Sequence, residues 1–193
     1  GGAVLMAVDA AGTPGQGTLR PLDCDGLIMS VGWAPAAAHL YQAGCDMYYD
    51  EDVGQIVPVS LPDGIFAAGR VNGVFDLADR IADGASAGHQ AAHHTSGRPS
   101  DAVERPPRAS RAHSHPYPVV AHPKGWNFVD FDEDLTLKDL ERAADEGFDN
   151  IELLKRYSTI GMGPSQGKHA NMNGIRILAR KIGRTIDQTG STT

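Results

Sequence analysis

The stretch GMGPSQGKHAN, residues 161–171, places three glycines beside a serine, a glutamine, a lysine and a histidine, directly before a helix-like run. Glycines let backbone N–H groups approach a ligand closely, and a helix start offers unsatisfied donors with partial positive charge. A phosphate or another anion suits that chemistry. The same composition equally suits a tight connection between two helices. A second group, Asp130, Asp132, Glu133 and Asp134, crowds carboxylates together. Such a group could hold Mg²⁺ or serve as an acid/base pair, but its place ahead of a helix, where negative charge is stabilising, favours a structural reading. His113, His115 and His122 have no cysteine or carboxylate at ligand spacing, and Cys24 and Cys45 match no metal pattern.

The chain has 193 residues, 41% of them hydrophobic and 21% charged, with a net charge of −7. That balance describes a chain able to bury a core as one domain or two small ones. The negative charge argues against a general nucleic-acid or membrane-surface role. The stretch from Lys168 to Arg184 is locally basic and reads as a solvated helix face. Two cysteines without a disulfide framework fit a reducing, cytoplasmic setting. No apolar run reaches the length of a membrane span, and Gly1-Gly2-Ala3 lacks the form of a secretory signal. The missing first methionine, and a tail Thr189–Thr193 with no closing element, suggest a processed or incomplete chain.

Punctuation by Gly and Pro divides the chain into residues 1–95, 96–123 and 124–193. In the first region Ala3–Val8 and Thr18–Leu22 read as the arms of a β-hairpin. Asp25–Gly32 and Gly64–Gly69 read as buried strands of a parallel sheet, and Ala36–Ala43 as a helix stopped by Gly44. Val74 to about His93 reads as a helix packed on a sheet through Phe75, Leu77, Ala78, Ile81, Ala85 and Ala92, with Ala82, Gly84, Ala85, Ala87 and Gly88 permitting close approach. No G-x-G-x-x-G follows an amino-terminal strand. The Pro/His-rich middle reads as a linker draped over a surface.

The last region reads as three helices. Thr136 and Asp139 make a capping box for a helix through Leu137, Leu140, Ala143 and Ala144, closed by Gly147. Asn150 caps the next, with Leu153, Leu154 and Tyr157 inside. Ser165 caps a third, with the stripe Met172, Ile175, Leu178, Ala179 and Ile182, ended by Gly183.

The pair DGLIMSVGWAP and GIFAAGRVNGVFDLADRIADGASAGHQAA resembles the closing half of a disulfide-reductase-type dinucleotide-binding fold. The full order, α/β half-fold, linker, small mostly helical domain, is similar to the alpha subunit of heterotetrameric sarcosine oxidase, most specifically from Phe128 to Arg180. The resemblance implies a flavoenzyme complex that oxidatively demethylates sarcosine or a related N-methyl amino acid and yields hydrogen peroxide. It implies NAD in the alpha subunit, FAD in the beta subunit, FMN at the alpha–beta interface, smaller gamma and delta subunits, and a following domain that uses tetrahydrofolate. A non-catalytic docking module that shapes a partner's flavin site is the competing class.

Related dehydrogenase subunits, by the same resemblance, ligate a two-iron, two-sulfur cluster through cysteine pairs where this chain reads Asp130-Phe131-Asp132 and Ser165 to Ala170. No thiolate remains, so the scaffold is expected to persist without the cluster. The resemblance further points to Thr159, Ser165, Gln166 and Lys168 as neighbours of the FMN phosphate. For NAD it points to Gly32, Gly69 and Arg70, with Leu77 and Ala78 at the start of the last helix of the half-fold. It offers no catalytic residue in this chain.

Overall fold

The structure is a computed structural model that describes residues 1–9, 15, 17–28, 34–97, 106, 108, 117, 119–122 and 124–190. Its residues group into two compact units, one of residues 33–113 and one of residues 1–32 with 114–192. The amino-terminal hairpin thus groups with the carboxy-terminal helices and not with residues 33–95. Among the described residues helices and strands are mixed, every strand pairing is antiparallel, and no helix is long and apolar enough to cross a membrane.

The first hairpin pairs β1 (Gly2–Leu5) with β2 (Arg20–Asp23), close to its expected arms. The expected strand from Asp25 does not form over Asp25–Ile28, where Ile28 is 99% exposed. A strand is stable only through its neighbours, and no described segment pairs there. Residues 29–33, with Gly32, lie outside the described residues.

In the unit of residues 33–113, α1 (Ala38–Gln42) ends before Gly44, whose φ of 78° takes the left-handed turn. The strands here are β3 (Asp46–Asp50) and β4 (Gln55–Ser60), an antiparallel pair. Their turn uses Gly54 at φ 67°, while Tyr49 and Val57 face inward. Residues 64–68, expected as a buried strand, form no strand pairing among the described residues and lead into a 3-10 turn, Gly69–Asn72. Next comes α2 (Leu77–Ser96), capped by the Asp76 carboxylate, which accepts the Ala78 and Asp79 N–H groups. Its inward residues are Asp83, Ser86 and Ala87, whereas Leu77 and Ile81 are exposed. Asp83 is inside because its carboxylate accepts hydrogen bonds from the 3-10 turn. Most of the expected linker lies outside the described residues; within it the Arg108 guanidinium donates to the Asn72 and Pro58 carbonyls and to the Tyr48 hydroxyl at 2.9, 3.0 and 2.6 Å.

The carboxy-terminal part holds the larger apolar core. A short hairpin, β5 (Phe128–Asp130) and β6 (Leu135–Thr136), runs into α3 (Leu137–Asp145), followed by α4 (Ile151–Ser158), α5 (Asn171–Ile182) and α6 (Ile186–Thr189). The Thr136/Asp139 capping box and the Asn150 cap both form. Leu140, Ala143, Ile151, Leu154, Ile160, Ile175 and Leu178 are buried together. On α4 the inner face is Ile151, Leu154 and Ser158, while Leu153 and Tyr157 stand outside. That is the spacing of one helical face, which Leu153 and Leu154 as neighbours cannot share.

Gly174 lies in the middle of α5 where a Cβ would sit 2.6 Å from the δ-methyl of Ile160, so its lack of a side chain lets the helix close on that residue. The basic stretch is not merely solvated. Arg180 lies 3.6 Å over the Tyr117 ring, Lys181 pairs with Asp145 at 2.8 Å, and Arg184 with Asp149 at 3.2 Å. The short helix α6 opens with a capping box that joins Thr185 and Gln188. Residues 191–193 lie outside the described residues.

Candidate functional site

The loop from Thr159 to Ala170 joins α4 to α5, and the β5–β6 turn faces it with carboxylates. α4 ends because Thr159 takes φ 64°, after which Ile160 turns into the core and Gly161 follows at φ 73°. The buried Asp130 carboxylate accepts the Gly161 N–H at 2.8 Å and, through its other oxygen, the Asp132 N–H at 2.9 Å. Asp132 accepts the Ser165 N–H at 2.8 Å. Glu133 accepts the Thr159 hydroxyl at 3.1 Å. The Ser165 hydroxyl and N–H, with a weaker pull from His169, hold the Asp132 carboxyl below the usual carboxylate range despite a small opposing effect of burial. Three neighbouring acids therefore staple one loop, a role distinct from charging the start of the next helix.

The glycines of this loop answer to packing. The Asn171 side chain fills the space where a Cβ of Gly161 or of Gly167 would stand, and both residues have positive φ. A Cβ on Gly163 would overlap Asp132. The loop is closed further by N–H donation from Met162 to Thr159, from Gln166 to Gly163, from Lys168 to Ser165 and from Asn171 to Gly167. Ser165 is not the helix cap it was expected to be, since α5 starts after Ala170.

Thr159, Ser165, Gln166 and Lys168 thus share one loop, but on unequal terms. The Thr159 hydroxyl is shared between the Ser158 carbonyl at 2.6 Å and Glu133, Ser165 gives its donors to Asp132, and the Gly161 N–H is taken by Asp130. Lys168 and Gln166 are exposed side chains. An anion at this loop would be gripped by the Lys168 ammonium and the Gln166 amide and not by a backbone cradle. Among the described residues no group of three His, Cys, Asp or Glu side chains is arranged to hold a metal ion.

The second set of expected site residues lies around the 3-10 turn. The Gly69 N–H donates to the buried Asp83 carboxylate at 2.7 Å. Asn72 bridges Asp83 and the Ala67 carbonyl at 3.2 and 2.8 Å, and the Gln55 amide donates to the Arg70 carbonyl at 2.6 Å. At the start of α2 the Ala78 N–H is taken by Asp76 at 2.8 Å, while Leu77 is exposed beside it. The Gly69 and Ala78 donors are thus spent on carboxylates of the chain itself, Asp83 and Asp76. Asp83, Asn72 and Gln55 were not singled out from the sequence. Asp83 was discoverable as an acid among the small residues of a helix face; Gln55 and Asn72 had no comparable mark.

Residues 124–193 match the family model described as the sarcosine oxidase A3 domain. The chain is 31% identical over 192 residues to sarcosine oxidase subunit alpha of Rhizobium meliloti (strain 1021), a match covering 97% of this chain and 19% of that protein. It is 26% identical over 186 residues to sarcosine oxidase subunit alpha of Corynebacterium sp. (strain P-1), covering 92% of this chain and 19% of that protein. The chain thus spans about a fifth of the length of these curated relatives. The crystal structure of L-proline dehydrogenase from P. horikoshii shares its fold with a TM-score of 0.70 at 19% identity, covering 90% of this chain and 37% of that one.

Proposed function

We propose, for a chain whose residues 124–193 belong to the sarcosine oxidase A3 domain family, that it works as part of the alpha subunit of a multi-subunit flavoenzyme. The reaction is the oxidative demethylation of sarcosine or a related N-methyl amino acid, with the chemistry in a partner beta subunit. The observation that carries this reading is similarity over almost the whole chain to alpha subunits of that enzyme. The folded loop of residues 159–170 gives that likeness a site.

Bound flavin would supply the electron acceptor of the oxidation, and FMN at the interface with the beta subunit is the one this chain would touch. The part of this chain is to hold the phosphate end: Lys168 supplies a point charge and Gln166 a directional donor. Thr159 and Ser165 act one step back, by fixing the loop to Glu133 and Asp132. Asp132, Glu133 and Asp134 also place negative charge beside the loop, so the phosphate approaches on the Lys168 side. NAD is assigned to the longer polypeptide, because the Gly69 and Ala78 N–H groups are already bonded within this chain.

The test is Lys168→Ala in the assembled complex, with flavin content measured after gel filtration. Reduced FMN retention is the expected result, and unchanged content removes Lys168 from the phosphate. Peroxide formation from sarcosine that depends on this chain separates the oxidase reading from a docking module, which would associate without altering turnover.

A further inference from the structure

Trp126, Phe128 and Phe131 form a row of rings on the outside of the carboxy-terminal helical part. Trp126 and Phe128 stack with centroids 6.5 Å apart and planes 12° apart, and Phe128 and Phe131 follow at 5.8 Å and 30°. The three side chains are 78%, 43% and 79% exposed. Trp126 and Phe128 both stand outward, with the left-handed Asn127 between them, while Val129 packs on the core. Phe131 lengthens the row from the β5–β6 turn.

The backbone beneath the rings is fixed at both ends. Asn127, at φ 53°, accepts the His122 N–H at 2.7 Å and donates to the His122 carbonyl at 3.0 Å, and its own carbonyl accepts the Leu137 N–H at 2.9 Å. At the other end Asp130 and Asp132 hold the backbone on either side of Phe131 to the loop of residues 161–165. Each ring has two side-chain torsions and is braced by its neighbour, so covering the row costs little ordering entropy. Adjacent exposed aromatic rings of this kind are the material of interface centres.

Charge narrows what fits there. Ring faces are electronegative, and the row runs into the exposed carboxylates of Asp132 and Asp134. Guanidinium and ammonium groups are attracted to both features. We propose that the Trp126–Phe128–Phe131 row is the docking surface for the flavin-bearing partner subunit, which meets it with an apolar patch flanked by arginine or lysine. This rests on the oxidase-subunit reading above. The same hairpin turn carries Phe131 and the acids that hold the Lys168 loop, so docking on the row and presentation of Lys168 depend on one structural piece.

The test uses the native polypeptide that carries this chain, produced together with the flavin-bearing subunit, and measures their dissociation constant. Trp126→Ala and Phe131→Ala are each expected to weaken association at least tenfold, and Asp134→Lys to weaken it and flatten its dependence on salt. In the unsubstituted protein, hydrogen exchange over residues 124–134 is expected to slow when the partner is added. That measurement stands even if a variant fails to fold. Unchanged exchange, or unchanged affinity in both ring variants, overturns the proposal. So does a ring substitution that lowers the unfolding midpoint of the isolated polypeptide without changing partner affinity, which means another part of the same polypeptide covers the row. Loss of a homodimer in place of loss of the partner complex assigns the row to a second copy and also overturns it. If the unsubstituted polypeptide does not bind the flavin-bearing subunit at all, the oxidase-subunit reading itself fails.

Discussion

Asp130 and Gly161 are thirty-one residues apart in sequence, and the buried carboxylate of the first accepts the N–H of the second at 2.8 Å. The bond ties the short hairpin ahead of α3 to the loop ahead of α5. Asp130→Ala leaves the Gly161 N–H without its acceptor in a place closed to water. The expected cost is about 1–3 kcal/mol, which lowers the thermal midpoint by roughly 4–8 °C per kcal/mol for a unit of this size. Circular dichroism melting checks it, and an unchanged midpoint contradicts the staple.

Gly161 and Gly167 surround the Asn171 side chain. Gly161→Ala places a Cβ in that side chain and forces an L residue to positive φ, for an expected loss of about 2–4 kcal/mol. Combining it with Asn171→Ala removes the overlap but keeps the backbone strain. The double substitution is then expected to cost less than the sum of the singles. Denaturant unfolding of the four proteins measures the coupling, and strict additivity would show that the two sites do not meet.

Acid should loosen this loop. The Ser165 hydroxyl and N–H depress the Asp132 carboxyl, and the Thr136 hydroxyl and N–H do the same for Asp139. A carboxyl depressed by folding contributes stability that is complete above its unfolded value, roughly pH 4, and disappears as pH falls through the lower folded value. Hydrogen exchange of Ser165 and Thr136, corrected for the intrinsic rate, is expected to show protection lost below about pH 4. Protection that holds constant to far lower pH would rule out both carboxylates as its source.

Arg108 gives a test with a direction. The Asp50 hydrogen bond and burial raise the Tyr48 phenol, while the Arg108 charge pulls it down. Burial also raises Asp50, but bonds from Tyr48, Val53 and Asp52 and the Arg108 charge leave it net depressed. Arg108→Ala is therefore expected to move both values upward. NMR titration of Tyr48 and Asp50 reports the shifts, and values that stay put would mean that Arg108 does not act on the pair.

The helical part was legible because its signals are local. Thr136 with Asp139, Asn150 at its cap, and Gly183 after an apolar stripe each report on a few neighbouring residues, and these appear where expected. The half-fold was harder to read. Apolar runs such as Asp25–Ile28 and residues 64–68 suit a buried strand, yet strand formation depends on a partner and none of the described segments pairs with them. The β3–β4 hairpin is hard to see in the sequence because Pro58 interrupts its second strand. At the candidate site, the positions of Ser165 and Lys168 in one loop could be anticipated. That Asp132 holds Ser165 could not, since residues 33 apart meet only through the tertiary fold.

Gly174 bears on any attempt to make this protein more robust. Replacing a mid-helix glycine by alanine ordinarily gains about 1 kcal/mol, and an engineer ranking α5 by composition would begin there. Here the added methyl must displace the tip of Ile160, a fully buried side chain, by more than a few tenths of an ångström. The two positions form a lock with its key, so they tolerate revision as a pair, the smaller residue on one side admitting the larger on the other.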